Sequence, residues 1–205
     1  MQGNAMSLDS VSRTADLSSP HPGEWIFTGA AEDRGAFTDA CDACDKSELR
    51  VTFVIRHGDS GQTRRICAKC LCCKPVSVEV DGTTLNPDQR RTLAKDLLAR
   101  TQSKTCRDTI RQVLQLTADP ALPEISAYFD RNLQLSPRRA ATLFPLLKRL
   151  RLSVDPSIFE VQMRSVGHKE EFSDLGETEK RAVWPALSAT VQDRLATLGL
   201  RPDLR

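Results

Sequence analysis

Aromatic residues and long apolar runs are scarce in this sequence. Aromatic side chains make up 5% of its 205 residues, and no run approaches the roughly 18 consecutive apolar residues of a membrane-spanning helix. The first ten residues, MQGNAMSLDS, contain no basic region followed by an apolar run, which a secretory signal would have. We therefore expect a cytoplasmic protein that has no membrane partner.

The patterns of common enzyme sites are also lacking. The sequence contains no glycine-rich phosphate loop, no Ser/His/Asp order and no evident pair of catalytic carboxylates. Asp155, before Pro156, is typical of a helix cap, and the pair Glu170 and Glu171 is typical of a solvated helix face. These absences predict that the protein is not an enzyme. Few aromatics lie near the basic residues, which argues against stacking on single-stranded nucleic acid.

Charge is distributed unevenly along the chain, although it sums to +2. Residues 1–40 carry two basic and six acidic side chains, a balance of −4. Residues 41–115 carry fourteen basic and nine acidic ones, a balance of +5, and residues 116–205 carry thirteen and twelve, a balance of +1. A mildly basic centre permits a polyanionic partner, although a solvated charged surface is the simpler explanation.

Hydrophobic periodicity divides the chain into three segments. Residues 1–22 are rich in Ser, Asp and Pro and predict a flexible acidic tail. The second segment, residues 23–82, holds short β-type runs that predict strands near 24–28 and 76–80 and a hairpin over 49–66. The third segment, residues 83–205, has helical periodicity. The sequence therefore predicts an α+β fold, a β module followed by a mainly α-helical domain.

Capping residues and prolines place the helices of the third segment. Asn86 and Pro87 predict one helix start and Thr105 a second. Ser136 and the following proline predict another helix that runs to about residue 151, and Pro145 should kink or divide it. Alternation over 159–163 indicates a short strand or an extended arm. Further helices are expected over residues 124–131, 168–175, 177–184 and 185–198.

Two Cys-x-x-Cys pairs flank the predicted hairpin. Zinc prefers four thiolates in a tetrahedron, and each two-residue spacing lets a tight turn aim two sulfurs at one point. The odd count of seven cysteines cannot pair completely into disulfides. A redox Cys-x-x-Cys usually occurs once and near a βαβ pattern, which is lacking here. The sequence predicts one structural Zn²⁺ that staples the β module through Cys41, Cys44, Cys67 and Cys70. Because Cys72 and Cys73 follow closely, either of them could replace Cys70.

The segment CDACDKSELRVTFVIRHGDSGQTRRICAKC, residues 41–70, resembles the four-cysteine zinc-ribbon and treble-clef modules of bacterial and phage proteins. The resemblance implies a knuckle, a strand, a polar turn and a second knuckle around the metal. It does not specify a function, since such modules recognise DNA, RNA and protein. Those modules usually have Gly after the first knuckle, and Asp45 stands there in this chain, so a less regular knuckle is expected.

The run Arg56-His57-Gly58 after a strand resembles the signature of histidine phosphatases. That family implies His57 as a phosphorylated nucleophile, Arg56 as a phosphate ligand and His168 as a second histidine. The family also needs a parallel α/β sheet around the motif, and the chain offers no run of buried parallel strands. A hairpin tip explains the glycines without chemistry. The enzyme is therefore the less favoured alternative.

The region between Arg131 and Val154 contains basic but no acidic residues. At about 100° per residue, a helix here would be amphipathic and would carry a cationic outer face that could contact phosphates. Residues 122–150 resemble the helix-turn-helix of AraC-type regulators, but the connection is long and Pro145 interrupts the reading helix. An amphipathic core helix with a solvated face is favoured. The candidate nucleic-acid-binding residues are Arg138, Arg139, Lys148, Arg149 and Arg151.

These patterns predict a non-enzymatic, regulatory or accessory zinc protein. We expect it to dock nucleic acid or a protein associated with nucleic acid. The alternative is a protein–protein adaptor without nucleic-acid contact, in which apolar residues such as Trp184 and Leu187 would form the docking surface.

Overall fold

A computed structural model describes residues 25–203 of the chain. The predicted acidic tail, residues 1–22, lies outside the described residues. The α+β fold is confirmed, because a curled β-sheet comes first in the chain and helices follow it. Among the described helices, none is both long and apolar enough to cross a membrane.

Four strands form the N-terminal sheet in the order β3-β2-β1-β4. They are β1 (Trp25–Asp33), β2 (Val51–His57), β3 (Thr63–Ile66) and β4 (Val76–Ser77). The predicted hairpin is confirmed as β2 and β3, which pair antiparallel, and β1 pairs antiparallel with the other edge of β2. The register of β1 shifts between Phe27 and Ala31, and Gly29 takes a φ of 82° within that irregularity.

The predicted strand over residues 76–80 is divided into two short pieces. Its first half, β4, pairs parallel with the start of β1, whereas β5 (Glu79–Val80) pairs with β6 (Thr83–Thr84). Val78 separates the pieces and is fully buried. Alternation therefore identified the extended backbone, but it could not show that the two halves have different partners.

The first long helix, α2 (Pro87–Leu116), is one continuous element of 30 residues. It begins with the predicted cap, because the Asn86 side chain accepts the backbone N–H groups of Asp88 and Gln89. The prediction of a second start at Thr105 is wrong. The Thr105 hydroxyl donates to the carbonyl oxygen of Thr101 one turn earlier, so it is satisfied inside the helix.

The later helices surround a second core. They are α3 (Leu122–Asn132), α4 (Pro137–Arg149), α5 (Val166–Ser173), α6 (Glu177–Val183) and α7 (Ala189–Thr197), with 3₁₀ turns at Pro156–Ile158 and Trp184–Ala186. Pro145 does not divide α4, and it lies on the exposed side of the helix. The cap predicted at Asp155 is confirmed, since its carboxylate accepts the Ser157 N–H.

Helix α2 contributes to two hydrophobic clusters. Its first half packs on the sheet through Ala94 and neighbouring leucines, and its second half packs on the later helices through Ile110 and Val113. Buried Arg50, just before β2, connects the same two regions by hydrogen bonds. The sheet and the helices are thus joined through a shared helix.

Candidate metal centre and basic surface

The first cysteine knuckle is a tight turn from Cys41 to Lys46. The backbone N–H of Cys41 donates to the Lys46 carbonyl (2.9 Å), and the N–H of Asp45 donates to the Cys41 carbonyl (2.9 Å). Asp45 has a φ of 53°, so it takes the left-handed conformation that Gly adopts most readily. Asp and Asn enter this region more readily than other non-glycine residues. The knuckle is therefore closed despite the missing glycine.

The second knuckle is the N-terminus of helix α1 (Ala68–Cys73). Cys67 is the residue that caps this helix, and its sulfur accepts the backbone N–H of Cys70 (3.5 Å). The backbone N–H of Cys67 itself donates to the Cys41 sulfur (3.2 Å). This hydrogen bond joins the two knuckles and stabilises negative charge on a thiolate.

The β2–β3 hairpin holds the knuckles side by side. Arg65 on β3 donates its backbone N–H to the Asp42 carboxylate (2.7 Å) and accepts the Asp42 backbone N–H at its carbonyl (2.8 Å). This paired contact fixes the first knuckle to the last strand before the second. The intervening 22 residues therefore serve to return the chain to the same point.

The ligand atoms of Cys41, Cys44, Cys67 and Cys70 all lie within 4.8 Å of one another. The sulfurs of Cys44 and Cys67 are 3.8 Å apart. A regular tetrahedron with metal–sulfur bonds of about 2.3 Å requires sulfurs about 3.8 Å apart, so this spacing fits a metal centre. Cys72 and Cys73 do not belong to the cluster. The possibility that one of them replaces Cys70 therefore receives no support from the geometry.

The electrostatics of the cluster differ between its inner and outer thiols. Burial raises the pKa of the Cys41 and Cys70 thiols. Cys44 is exposed, and a hydrogen bond from the backbone N–H of Lys46 lowers its pKa to about 7. Without a bound cation the two inner thiols thus hold their protons at neutral pH. A metal ion that takes all four as thiolates must displace those protons.

The Arg56–His57 pair has the geometry of a hairpin end. The backbone N–H of Ser60 donates to Nδ1 of His57 (3.2 Å), and the ring lies edge-on to Trp25. Because successive strand residues point to opposite faces, Arg56 and His57 project away from each other. His168, the proposed second histidine, lies in the first turn of α5, where its backbone N–H donates to the hydroxyl of the capping residue Ser165. The absence of enzymatic activity stays a prediction.

The predicted basic residues fall into two environments. Four of them are exposed and form no ion pair within residues 25–203, namely Arg138, Lys148, Arg149 and Arg151. Arg139 is different. Its guanidinium lies over the Tyr128 ring (3.9 Å to the centroid) and contacts Glu124 and Ser136. These internal contacts tie Arg139 to helix α3, so it is less available to a partner than the other four.

The apolar residues expected on an adaptor surface are inside the protein. Trp184 is 7% exposed and Leu187 is 6% exposed, and both belong to the helical core. That expectation is wrong, because a lone tryptophan at the end of an amphipathic run gives no sign of which side it faces. Sequence reasoning also missed a cleft beside residues 157–164. Its only sequence signal was the alternation over 159–163.

Comparison with models of known protein families, with curated proteins and with solved structures finds no match.

Proposed function

We propose that this is a non-enzymatic zinc protein that docks nucleic acid, or a protein associated with nucleic acid, through the exposed face of helix α4 and the turn that follows it. The four cysteines would hold one structural Zn²⁺. The docking surface, called the cationic face below, consists of Arg138, Lys148, Arg149 and Arg151.

The donor set supports zinc and a structural role. Four thiolates in a tetrahedron are the ligands that structural zinc prefers, and such a site leaves no position for a substrate or a water. The sheet cluster around the cysteines is small, so metal binding would contribute folding free energy to this part of the chain. A bound Zn²⁺ would therefore fix the hairpin rather than take part in a reaction.

The observation that carries the nucleic-acid proposal is the unpaired state of the cationic face. On helix α2 the exposed Arg91, Arg100 and Lys104 each form an ion pair with an aspartate on the same helix. The four cations of the cationic face form none within the described residues. A turn of 100° per residue places Arg138 and Arg149 on one side of α4, about 16 Å apart along its axis. Unpaired cations at such a spacing can contact separate phosphates of one nucleic acid.

Salt-dependent binding to duplex DNA and RNA fragments tests the proposal. The triple variant Arg138→Gln, Lys148→Gln, Arg149→Gln should lower the slope of log K against log salt by about 0.9 per lost DNA contact. Its binding at low salt should weaken across all sequences. The matched control is Arg91→Gln, Arg100→Gln, Lys104→Gln, which removes the same charge from helix α2 and should change the slope far less.

An equal loss in both triple variants would show that only net charge matters and would contradict a docking face on α4. Absence of salt-sensitive binding in the wild type would favour the adaptor. One observation supports that alternative. An apolar groove of about 450 Å³ lies beside the cationic face, lined by residues that include Phe144, Pro145 and Ala182.

A further inference from the structure

The segment Phe159–Met163 contains an isolated β-bridge at Val161 and is paired along one edge. The backbone N–H of Leu135 donates to the Glu160 carbonyl (2.9 Å), and the N–H of Gln162 donates to the Leu135 carbonyl (2.8 Å). This is a parallel bridge between Leu135 and Val161. Since backbone groups alternate along a strand, those of Val161 and Met163 point toward the opposite edge.

The opposite edge has no partner within the part of the chain that the structure describes. Neither the N–H nor the carbonyl of Val161 or Met163 makes a hydrogen bond to any of residues 25–203. Both residues are nevertheless buried, with 8% and 6% of their surface exposed. Unpaired N–H and C=O groups along an edge that lines a cleft are a template for pairing with another chain.

A cleft of about 550 Å³ adjoins this segment. Residues 157–164 line one side of it, and residues 185–188, Val191 and Arg194 line another. The volume falls in the usual range of ligand sites, roughly 300–1,000 Å³. A fully extended peptide of five residues spans about 16 Å, so a cleft of this size can hold a short peptide in extended conformation.

The charges at the cleft favour an acidic occupant. Arg164 and Arg194 both line it, both are exposed, and neither forms an ion pair within residues 25–203. Arg50 also contributes to the lining, but the Asp33 carboxylate neutralises its charge. Glu160 also lines the cleft, so the two unpaired arginines outnumber this acidic residue and leave an excess of positive charge.

We propose that this cleft binds an extended acidic peptide segment of a partner protein by strand addition. The peptide backbone pairs with the free edge at Val161 and Met163, and an acidic side chain of the peptide lies between Arg164 and Arg194. Strand addition gives affinity through main-chain hydrogen bonds and specificity through alternate side chains. This binding site is separate from the cationic face of α4, and its existence does not depend on nucleic-acid docking.

The test uses the full zinc-loaded chain and a fluorescent, acetylated hexapeptide that alternates aspartate and valine. We expect saturable binding, measured by fluorescence anisotropy. A second peptide with the same side chains carries N-methyl groups on two alternate amides of the pairing edge. It should bind at least about tenfold more weakly, because each methyl group removes a donor and leaves a buried carbonyl unpaired. Equal affinity of the two peptides would overturn strand addition.

The double variant Arg164→Gln, Arg194→Gln should weaken binding of the aspartate peptide by about threefold to tenfold and abolish its preference over a lysine–valine peptide. The matched control is Arg131→Gln, Arg201→Gln, which removes two exposed arginines outside the cleft. Equal loss in both double variants would contradict the assignment of the acidic residue. The α4 triple variant should keep wild-type peptide affinity, so failure of nucleic-acid binding would be distinguishable from failure of this site.

Two further measurements identify other occupants. A synthetic peptide of residues 1–24 that displaces the probe at low concentration would assign the cleft to this chain's own N-terminal segment. A dimer in sedimentation that dissociates in the Arg164→Gln, Arg194→Gln variant would assign it to a second copy. Either result would overturn the proposal of a partner peptide.

Discussion

The guanidinium of Arg50 lies 2.8 Å from the carboxylate of Asp33, and both side chains are buried. The same guanidinium donates to the carbonyl oxygens of Ile158 (2.8 Å) and Gln102 (3.2 Å). Asp33 belongs to the sheet, whereas Gln102 and Ile158 belong to helix α2 and to the segment beside the cleft. One ion pair therefore connects the sheet region, which holds the cysteine cluster, with the helical region.

Removing the acid from this pair should destabilise the protein strongly. Asp33→Ala leaves the Arg50 charge buried without compensation, which typically costs about 3–5 kcal/mol. Urea unfolding of the zinc-loaded protein measures the change. The neighbouring Glu32 pairs with Arg65 on the exposed surface, so Glu32→Ala should cost less than about 1 kcal/mol. Similar losses for the two variants would contradict the connecting role of Asp33.

The cysteine cluster was predictable because cysteine spacing is a local signal. Two pairs with two intervening residues, separated by a hairpin, identify its four members before any tertiary contact is known. The capping pattern at Asn86 and the turn between β2 and β3 are likewise local. Each depends on residues within a few positions of one another, and each is present in the structure.

The remaining features depend on contacts between distant residues. Arg50 stands in a β-type run and gives no sign that it will be buried, since its partners Asp33 and Gln102 are 17 and 52 positions away. Thr105 has the chemistry of a helix cap, but the packing of α2 against both clusters keeps the helix continuous through it. The free edge at Val161 depends on the bridge with distant Leu135, because that bridge pairs one edge of the segment and leaves the other edge unpaired.

Zinc analysis should find one ion per chain in protein purified without chelator. Cys41→Ser and Cys67→Ser each remove a central ligand, so both should lose the metal and unfold the sheet region. Cys73→Ser is the control, because Cys73 is exposed and lies outside the cluster. Elemental analysis and far-UV circular dichroism give the two readouts. Retention of zinc in Cys67→Ser, or iron in place of zinc, would contradict the proposed centre.

Zinc affinity should rise steeply with pH. Burial raises the pKa of Cys41 and Cys70 above the usual value of 9.0, so at pH 8 both thiols are protonated in the metal-free fold. Zinc displaces those protons, and log K should therefore increase by at least about two per pH unit. Below pH 7 the Cys44 thiol, whose pKa is about 7, also binds a proton and adds about one to the slope. Competition against a chromophoric chelator between pH 6 and 8 measures this dependence. A slope that does not steepen below pH 7 would contradict the assignment of Cys44 as a ligand.

The first knuckle should be sensitive to the residue at position 45. Asp45 has a φ of 53°, and its backbone N–H donates to the Cys41 carbonyl. An alanine in this left-handed conformation lacks the tolerance of aspartate, so Asp45→Ala should cost about 1 kcal/mol of stability in the zinc-loaded form. Asp45→Gly should be neutral or slightly stabilising, because glycine adopts this conformation without a steric penalty.

Lys46→Ala, a substitution at the next position, serves as the control, since only the backbone of Lys46 takes part in the knuckle's hydrogen bonds. In urea unfolding the stability should fall in the order Gly, wild type, Ala. The zinc dissociation rate should rise in the same order. If glycine destabilised the knuckle as much as alanine, the aspartate side chain rather than the backbone conformation would be the stabilising feature.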